Sequence, residues 1–416
     1  MIPILFTTII VASLFAVYKL RYKAVFLLPA YIVIFDVLYG FYQTGSGFGA
    51  LRNISLFIFL TVLVFRKKTT LYTNIFINVF LLYTMALLFF SSDFKVSAMN
   101  YLVVYNSFVC FLIGFNYLRN LDNLKILNTG LIILAIVFII NSIISAVFNL
   151  GRDYYGSGFT SGGFVIMKLY SPALFVALLP IILPLAKKEY RKFIIILASL
   201  VYIFLIISMR RTAIFIPVLC YFIFFLLSKD KIKIISAVTG FAFILLLAYP
   251  FYQKVLHNQL AARDYFEGRT LEDEYRFKET IIIYEETFSN LKTALTGEEV
   301  FNSIGNYNNG NWGLRPIHVD YNKLIHGTGL IGLVLYIMIF LNMFLKFIKY
   351  RNALPDEPYF DNIKSVFIML LVIILVIGFS GGILAISYRA VLLIYMGSIL
   401  GIMDKYYNHR QVLQEL

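Results

Sequence analysis

Residues 315–336 read RPIHVDYNKLIHGTGLIGLVLY, and this stretch joins a polar segment to a run of hydrocarbon. Its second half is almost entirely apolar, as the start of a membrane-spanning helix is. Its first half carries polar and titratable side chains, namely Arg315, His318, Asp320, Asn322, Lys323 and His326. The stretch therefore predicts functional groups placed where a loop enters a membrane span.

The composition of the whole chain agrees with a membrane protein. Of its 416 residues, 60% are hydrophobic and 14% are charged, and the mean hydropathy is +0.83. Soluble domains are about 45–50% apolar. We therefore predict an all-α, polytopic integral membrane protein. Cys110 and Cys220 both lie inside apolar runs, which predicts no disulfide framework and no thiol chemistry.

A membrane span needs about 20 apolar residues, and the apolar runs predict about 12 or 13 transmembrane helices. In the first run the charges follow the apolar residues, which favours a retained span over a cleaved signal peptide. Spans 1–10 would occupy residues 1–250, a large loop residues 251–326, and spans 11–13 with a cytoplasmic tail residues 327–416. The candidate spans are 2–18, 24–40, 50–65, 71–90, 98–118, 128–149, 169–186, 193–209, 212–228, 232–250, 327–347, 363–380 and 383–402.

The net charge of +14 predicts membrane sidedness rather than nucleic-acid binding. Lys and Arg cluster at every second connection, for example at Arg66–Lys68, Lys187–Lys188 and Lys346–Arg351. Such clusters remain in the cytoplasm by the positive-inside rule. The alternate connections, including the loop 251–326, then lie outside.

The large outer loop is predicted to be partly helical. Thr270 is a predicted N-cap, with acidic residues at 272–274 in the first turn, and Gly297 is a predicted stop. One apolar stripe follows the helical period, formed by Phe277, Ile281, Tyr284, Phe288 and Leu291. We expect this stripe to lie against the membrane surface or against the span bundle.

The sequence lacks the motifs of metal and nucleotide chemistry. Its four histidines show no HExxH or Cys–His spacing, and no P-loop, GxSxG or dinucleotide-binding motif is present. We therefore expect no metal, no cofactor and no ATP-driven pump.

Arginines on the outer side are the remaining candidates. Arg210 and Arg211 join two short spans at the predicted outer face, where the orientation rule disfavours adjacent arginines. They either bind an anion or extend toward the interface, and loop arginines also form ordinary ion pairs. Arg389 lies near the outer end of its span. The other outer arginines are Arg152, Arg263, Arg269, Arg276 and Arg315.

Arginine and histidine together suit one kind of chemistry. The forked guanidinium matches phosphate geometry, and imidazole accepts protons near neutral pH. This pairing suits transfer from a lipid-linked phosphate donor to a hydroxyl acceptor.

Several motifs resemble the O-antigen polymerase and ligase superfamily. The run His318 to Asn322, followed by Leu324 and by Gly327 to Leu333, is similar to the family pattern at the end of the large periplasmic loop. Ser208 to Ala213 resembles the family's Ser-Arg-Thr/Gly-Ala span start. Glu274-Tyr275-Arg276 looks like the family's loop arginine. Asp320 departs from the family pattern, in which Asn often follows His directly.

The resemblance implies a metal-independent, inverting glycosyltransferase of the GT-C class in the bacterial inner membrane. Its donor would be an undecaprenyl-pyrophosphate-linked oligosaccharide at the periplasmic face, with a chain-length regulator protein as a further candidate partner. His318 would activate the acceptor hydroxyl, and Arg211 and Arg276 would hold the pyrophosphate. Substrate-binding candidates are Arg210, Arg269, Arg315, Asp320, Asn322, Arg389 and Arg152.

Three functions remain open at this point. A repeat-unit polymerase would transfer the growing glycan onto a new lipid-linked unit. A ligase would transfer it to another acceptor. A flippase or other secondary transporter would do no chemistry; Asp36 within a predicted span favours it, whereas the chain shows no repeated halves.

Overall fold

The computed structural model describes residues 46–66, 73–148, 170–207, 211–228, 275–302, 304–305, 315–379 and 381–415, together with 19, 25–32 and isolated positions between 231 and 257. These residues are helical apart from turns and one antiparallel pair, β1 (Ile304–Gly305) with β2 (Arg315–Pro316). The chain is an all-α polytopic membrane protein, as predicted. The predicted span 2–18 and about half of 24–40 lie outside the described residues, and only isolated positions of 232–250 are described.

Thirteen α-helices of the described part have both ends defined, and they differ in their ability to cross a membrane. In chain order they are α1 (Ser46–Arg66), α2 (Ile75–Leu87), α3 (Phe94–Tyr117), α4 (Leu121–Val147), α5 (Tyr170–Ala177), α6 (Leu179–Leu185), α7 (Lys188–Ile207), α8 (Arg211–Leu227), α9 (Tyr275–Thr287), α10 (Leu291–Thr296), α11 (Asp320–Tyr350), α12 (Pro358–Ile377) and α13 (Ile386–Glu415). Among them α3, α4, α11, α12 and α13 are long and apolar enough to span a bilayer. Three further helices, α1, α2 and α8, contain apolar segments that are shorter. A helix suits the bilayer because it satisfies its own backbone hydrogen bonds.

The first of two compact units comprises Met1–Arg52, Tyr117–Glu267 and Pro355–Leu370. The predicted span 169–186 is divided there into α5 and α6, and Pro180 lies in the first turn of α6. Side-chain amides and hydroxyls join its helices. Asn362 on α12 donates to the Pro180 carbonyl at 3.1 Å, and Tyr221 on α8 donates to the Val176 carbonyl at 3.0 Å. Such bonds replace the hydrophobic driving force that lipid does not provide between helices.

The second unit comprises Asn53–Asn116, Gly268–Leu354 and Leu371–Leu416 and holds the stretch that opened the sequence analysis. Its centre is α13, which is buried throughout its apolar length. The small residues Gly114, Gly397 and Gly401 bring the backbones of α3 and α13 together without space for a Cβ atom. This close approach is typical of helix packing in membranes.

The two ends of this unit differ in chemistry. At one end, Lys346 on α11 donates to the Thr73 carbonyl and lies over the Phe115 ring. At the same end, Arg410 on α13 donates to the Asn352 carbonyl at 2.9 Å. Lys346 and Arg410, which belong to two of the segments predicted to be cytoplasmic, therefore lie at one end of this unit. The segment around His318 lies at the other end, beside the start of α13.

A sharp break divides α11 at Gly329, where φ is 61° and ψ is −167°. Asp320 and Tyr336 bind the same guanidinium, although they would be about 24 Å apart along a straight helix. Residues 320–328 therefore turn back toward Tyr336. A Cβ atom at Gly329 would overlap the backbone of Leu295 on α10, so both the conformation and the contact require glycine.

The helices of the outer loop bury a different face from the one that the sequence predicts. Thr270 and the acidic residues at 272–274 lie outside the described residues. Asn290 caps α10 and interrupts the predicted single helix, which ends at Gly297 as expected. The predicted apolar stripe is 41–76% exposed, so it does not pack on the span bundle. The buried face of α9 consists instead of Glu279, Ile283 and Thr287.

Candidate active site

His318 lies between β2 and the first turn of α11, and its position is fixed mainly through its backbone. Its N–H donates to both carboxylate oxygens of Glu279, at 3.0 and 3.1 Å. The next N–H, that of Val319, donates to Glu279 Oε1 at 3.1 Å. The imidazole itself is 51% exposed, and its Nδ1 atom lies 3.5 Å from Glu279 Oε2. The backbone is thus held while one edge of the ring remains accessible.

Glu279 is the acidic group that holds this turn. It lies on α9, where Ile283 packs on Ile317 and brings the helix beside the start of α11. Its side chain is completely buried. Burial favours the neutral carboxyl, but hydrogen bonds from the His318 side chain and from the backbone N–H groups of Val319 and His318 lower its pKa below the ordinary value. Glu279 is therefore an anion at neutral pH.

Asn322 connects the same two helices one turn further along α11. Its amide nitrogen donates to Thr280 Oγ1 at 2.9 Å and lies 3.5 Å from Glu279 Oε1. Asn322 is 2% exposed. In this structure its amide joins α9 to α11.

A buried ion pair lies directly behind His318. Arg389 Nη2 donates to Asp320 Oδ2 at 2.7 Å, and Arg389 Nη1 donates to Tyr336 Oη at 2.7 Å. Arg389 and Asp320 have side-chain exposures of 1% and 0%. Because Tyr336 follows the break at Gly329, the arginine connects both segments of α11 to α13.

The connection between α12 and α13 encloses the other side of this turn. Asp320 N–H donates to the Gly378 carbonyl at 2.9 Å, and Gly382 N–H donates to Asp320 Oδ1 at 2.7 Å. At Gly381 φ is 88°, and a Cβ atom there would overlap the His318 carbonyl. The backbone around His318 is thus held by Glu279 on one side and by Gly378, Gly381 and Gly382 on the other.

The structure brings four predicted site residues together, namely His318, Asp320, Asn322 and Arg389. The backbone of Arg211 begins α8, that of Arg276 lies one turn before Glu279 on α9, and that of Arg315 lies in β2. The side chains of these three arginines lie outside the described part of the chain. The remaining predicted arginines, Arg152, Arg210 and Arg269, lie outside it entirely. Their proximity to His318 stays a prediction.

Two residues of the site were not predicted from the sequence, namely Glu279 and Tyr336. Glu279 has one recognisable signal, because Glu279, Ile283 and Thr287 recur every fourth residue and mark a second face of α9. This face is less apolar than the exposed stripe, so hydrophobic periodicity alone does not identify it as the buried face. Tyr336 has no such signal within an apolar run.

A second histidine lies in an acidic environment on the same unit. His326 Nε2 is 3.6 Å from Glu298 Oε2 and 3.9 Å from Glu286 Oε2. Burial and the neighbouring charge of Glu298 raise the pKa of the Glu286 carboxyl. Among the described residues, no group of three or more His, Cys, Asp or Glu side chains is arranged to hold a metal ion.

Comparison of the chain with protein-family models and with curated proteins finds no match. The function of the site is therefore inferred from its own residues.

Proposed function

We propose that this protein is a membrane glycosyltransferase with His318 as its general base. The observation that carries the proposal is the Glu279–His318 contact: a buried carboxylate faces Nδ1, while half of the imidazole surface is exposed at the entry to a membrane span. A carboxylate behind an imidazole is the usual arrangement of a histidine that accepts a proton.

The reaction we propose is the polymerisation of lipid-linked saccharide units. His318 Nε2 accepts the proton of the acceptor hydroxyl, and the hydroxyl oxygen bonds to the anomeric carbon of the donor sugar. The bond from that carbon to the pyrophosphate breaks, and undecaprenyl pyrophosphate leaves with the electron pair. General-base catalysis of this kind contributes about 10²–10⁴-fold. Arg211 and Arg276 would stabilise the departing pyrophosphate, for which their charge is suited.

We propose a fold class and a cellular location for the protein as well. The protein would be a GT-C-like enzyme of the bacterial inner membrane, with its active site on the periplasmic face. The long apolar helices support a multi-pass protein, and within the second unit the candidate site lies at the end opposite Lys346 and Arg410, which supports this orientation. A ligase would use the same donor and base with a different acceptor.

One observation favours a transporter instead. Broken helices near substrate sites are typical of secondary transporters, and α11 is broken at Gly329. The charged pair Asp320 with Arg389, which connects both segments of the broken helix, is buried and ion-paired. The exposed polar group is His318, which fits proton transfer better than ion coupling.

The test is reconstitution of the purified protein in liposomes with an undecaprenyl-pyrophosphate-linked repeat unit. The wild-type protein should produce a polymer ladder on a gel, in EDTA as well as without it. H318A should reduce the rate of polymerisation by at least about 10²-fold, because the base is lost. H409A is the matched control, because His409 is exposed on α13 and should leave the ladder unchanged.

The alternative outcomes are equally distinct. Full-length polymer from H318A would overturn the assignment of His318. Transfer only to a non-lipid-linked acceptor would indicate a ligase. Movement of intact lipid-linked units across the bilayer without a new glycosidic bond would indicate a transporter.

A further inference from the structure

The two carboxylate oxygens of Glu279 make different contacts with the turn that contains His318. Its Oε1 atom accepts from two backbone donors, the N–H groups of His318 and Val319. Its Oε2 atom faces the side chain, with Nδ1 of His318 at 3.5 Å, and also accepts from the His318 N–H at 3.1 Å. One carboxylate thus holds the backbone and faces the ring at the same time.

The ionised state of Glu279 determines which tautomer of His318 this contact favours. A carboxylate is only an acceptor, so it favours the tautomer with hydrogen on Nδ1. That tautomer leaves the lone pair on Nε2, on the part of the ring away from Glu279. The nitrogen that a general base requires is therefore free only when Nδ1 carries the hydrogen.

We infer that Glu279 is a positioning residue, which sets the tautomer and orientation of His318. This inference rests on the proposed function and adds a residue of the outer loop to the site. Glu279 does not take the transferred proton. It keeps the ring hydrogen on Nδ1 while Nε2 accepts the proton of the acceptor hydroxyl.

The replacement of Glu279 by Gln separates this role from a structural one. The two backbone N–H groups select the carbonyl oxygen of Gln at the position of Oε1, so the turn remains held. The amide nitrogen then occupies the position of Oε2 and presents hydrogens to Nδ1. The ring must respond by moving its own hydrogen to Nε2, which removes the base without removing the helix contact.

The experiment compares wild-type, E279Q, E279D and E285Q proteins in proteoliposomes. Nitrogen-15 NMR of histidine-labelled protein reports which ring nitrogen carries hydrogen, and the spectrum of H318A identifies the His318 signals. The polymerisation rate and the KM for the lipid-linked unit are measured on the same samples. E285Q is the matched control, because Glu285 is an exposed residue of α9.

We expect hydrogen on Nδ1 of His318 in the wild-type and E285Q proteins and on Nε2 in E279Q. E279Q should lower kcat by about 10²–10⁴-fold, the usual contribution of a general base, with KM changed less than threefold. E279D should restore the Nδ1 tautomer and part of kcat.

Two results decide between the inference and the proposed function. If His318 carries its hydrogen on the same nitrogen in wild-type and E279Q proteins, Glu279 does not position the ring and the inference is wrong. If the tautomer changes in E279Q but kcat does not, the positioning is upheld and His318 is not the base.

Discussion

At the scale of single residues, the site depends on charges removed from water. The Asp320–Arg389 pair is fully enclosed, so each member needs the other. Desolvation makes such a pair a weak source of net stability, but its disruption leaves an uncompensated buried charge. The pair therefore matters most for specifying one arrangement, in which the two segments of α11 meet α13.

A double-mutant cycle on this pair tests that interpretation. We expect D320N and R389M each to lower the free energy of unfolding by roughly 3–5 kcal/mol, because one buried charge is left unpaired. The double variant should lose much less than the sum of the two single losses. Unfolding by SDS titration from mixed micelles measures all four proteins.

The half-buried pair Lys364–Asp361 on α12 is the control for this cycle. Its single variants, D361N and K364M, should lose no more than about 1 kcal/mol, as surface ion pairs do. Strictly additive losses in the cycle of Asp320 and Arg389 would contradict the interpretation, since they would mean that the two charges do not depend on each other.

Part of the candidate site could be predicted from the sequence. His318, Asp320 and Asn322 were predicted from their polarity at the entry to a span, and the structure gathers them with Arg389 in one network. Glu279 was missed because its role depends on backbone donors of a segment 39 residues away. The four-residue spacing of Glu279, Ile283 and Thr287 marks a helix face, but it does not show that the carboxylate binds two N–H groups of another segment.

At the scale of elements, the break in α11 determines where the polar residues lie. The apolar pattern predicted a span over 327–347 and placed His318 above it. The structure instead begins the helix at Asp320 and turns it at Gly329. Hydropathy does not reveal such a turn, because Gly327 and Gly329 are compatible with a continuous span in a membrane.

Substitution of Gly329 tests the importance of the break. G329A should lower the free energy of unfolding by about 2–5 kcal/mol, because a left-handed conformation costs about 1–2 kcal/mol and overpacking against Leu295 about 1–3 kcal/mol. G49A is the control, because a Cβ at Gly49 of α1 meets no atom within 4 Å. Equal stability of the two variants would contradict the model of the break.

The two helices of the outer loop, α9 and α10, have a buried face and an exposed face that differ in chemistry. Their buried face carries Glu279 and joins the loop to α11, whereas the more apolar stripe is exposed. Of the two locations predicted for this stripe, the membrane surface is the one compatible with that exposure. Tyrosine, here Tyr284, is enriched at that boundary.

At the scale of the whole molecule, the alternation of basic clusters predicted a sidedness for every connection. Within the second unit, Lys346 and Arg410 do lie at one end and His318 at the other. The number of spans was less accessible to sequence reasoning. Short or divided helices such as α5 and α6 replace a predicted continuous span, because proline and local turns interrupt runs that hydropathy averages together.

Labelling in whole cells tests the predicted sidedness. A cysteine at Glu285, an exposed residue of α9 outside the apolar stripe, should react with a membrane-impermeant maleimide added to intact spheroplasts. A cysteine at Asn352, after α11, should react only after the membrane is permeabilised. The native Cys110 and Cys220 are buried and should remain unlabelled in both conditions. Reaction of both introduced cysteines from the same side would contradict the orientation.

The close approach of Gly381 to the His318 carbonyl has a genetic consequence. Asp320 and Gly382 are 62 positions apart in the sequence, yet they share one hydrogen bond. A screen for inactive alleles should therefore find lesions clustered at 378–382 as well as around 318–322, with the same phenotype. Compensating changes for a damaged allele in one cluster should be sought in the other.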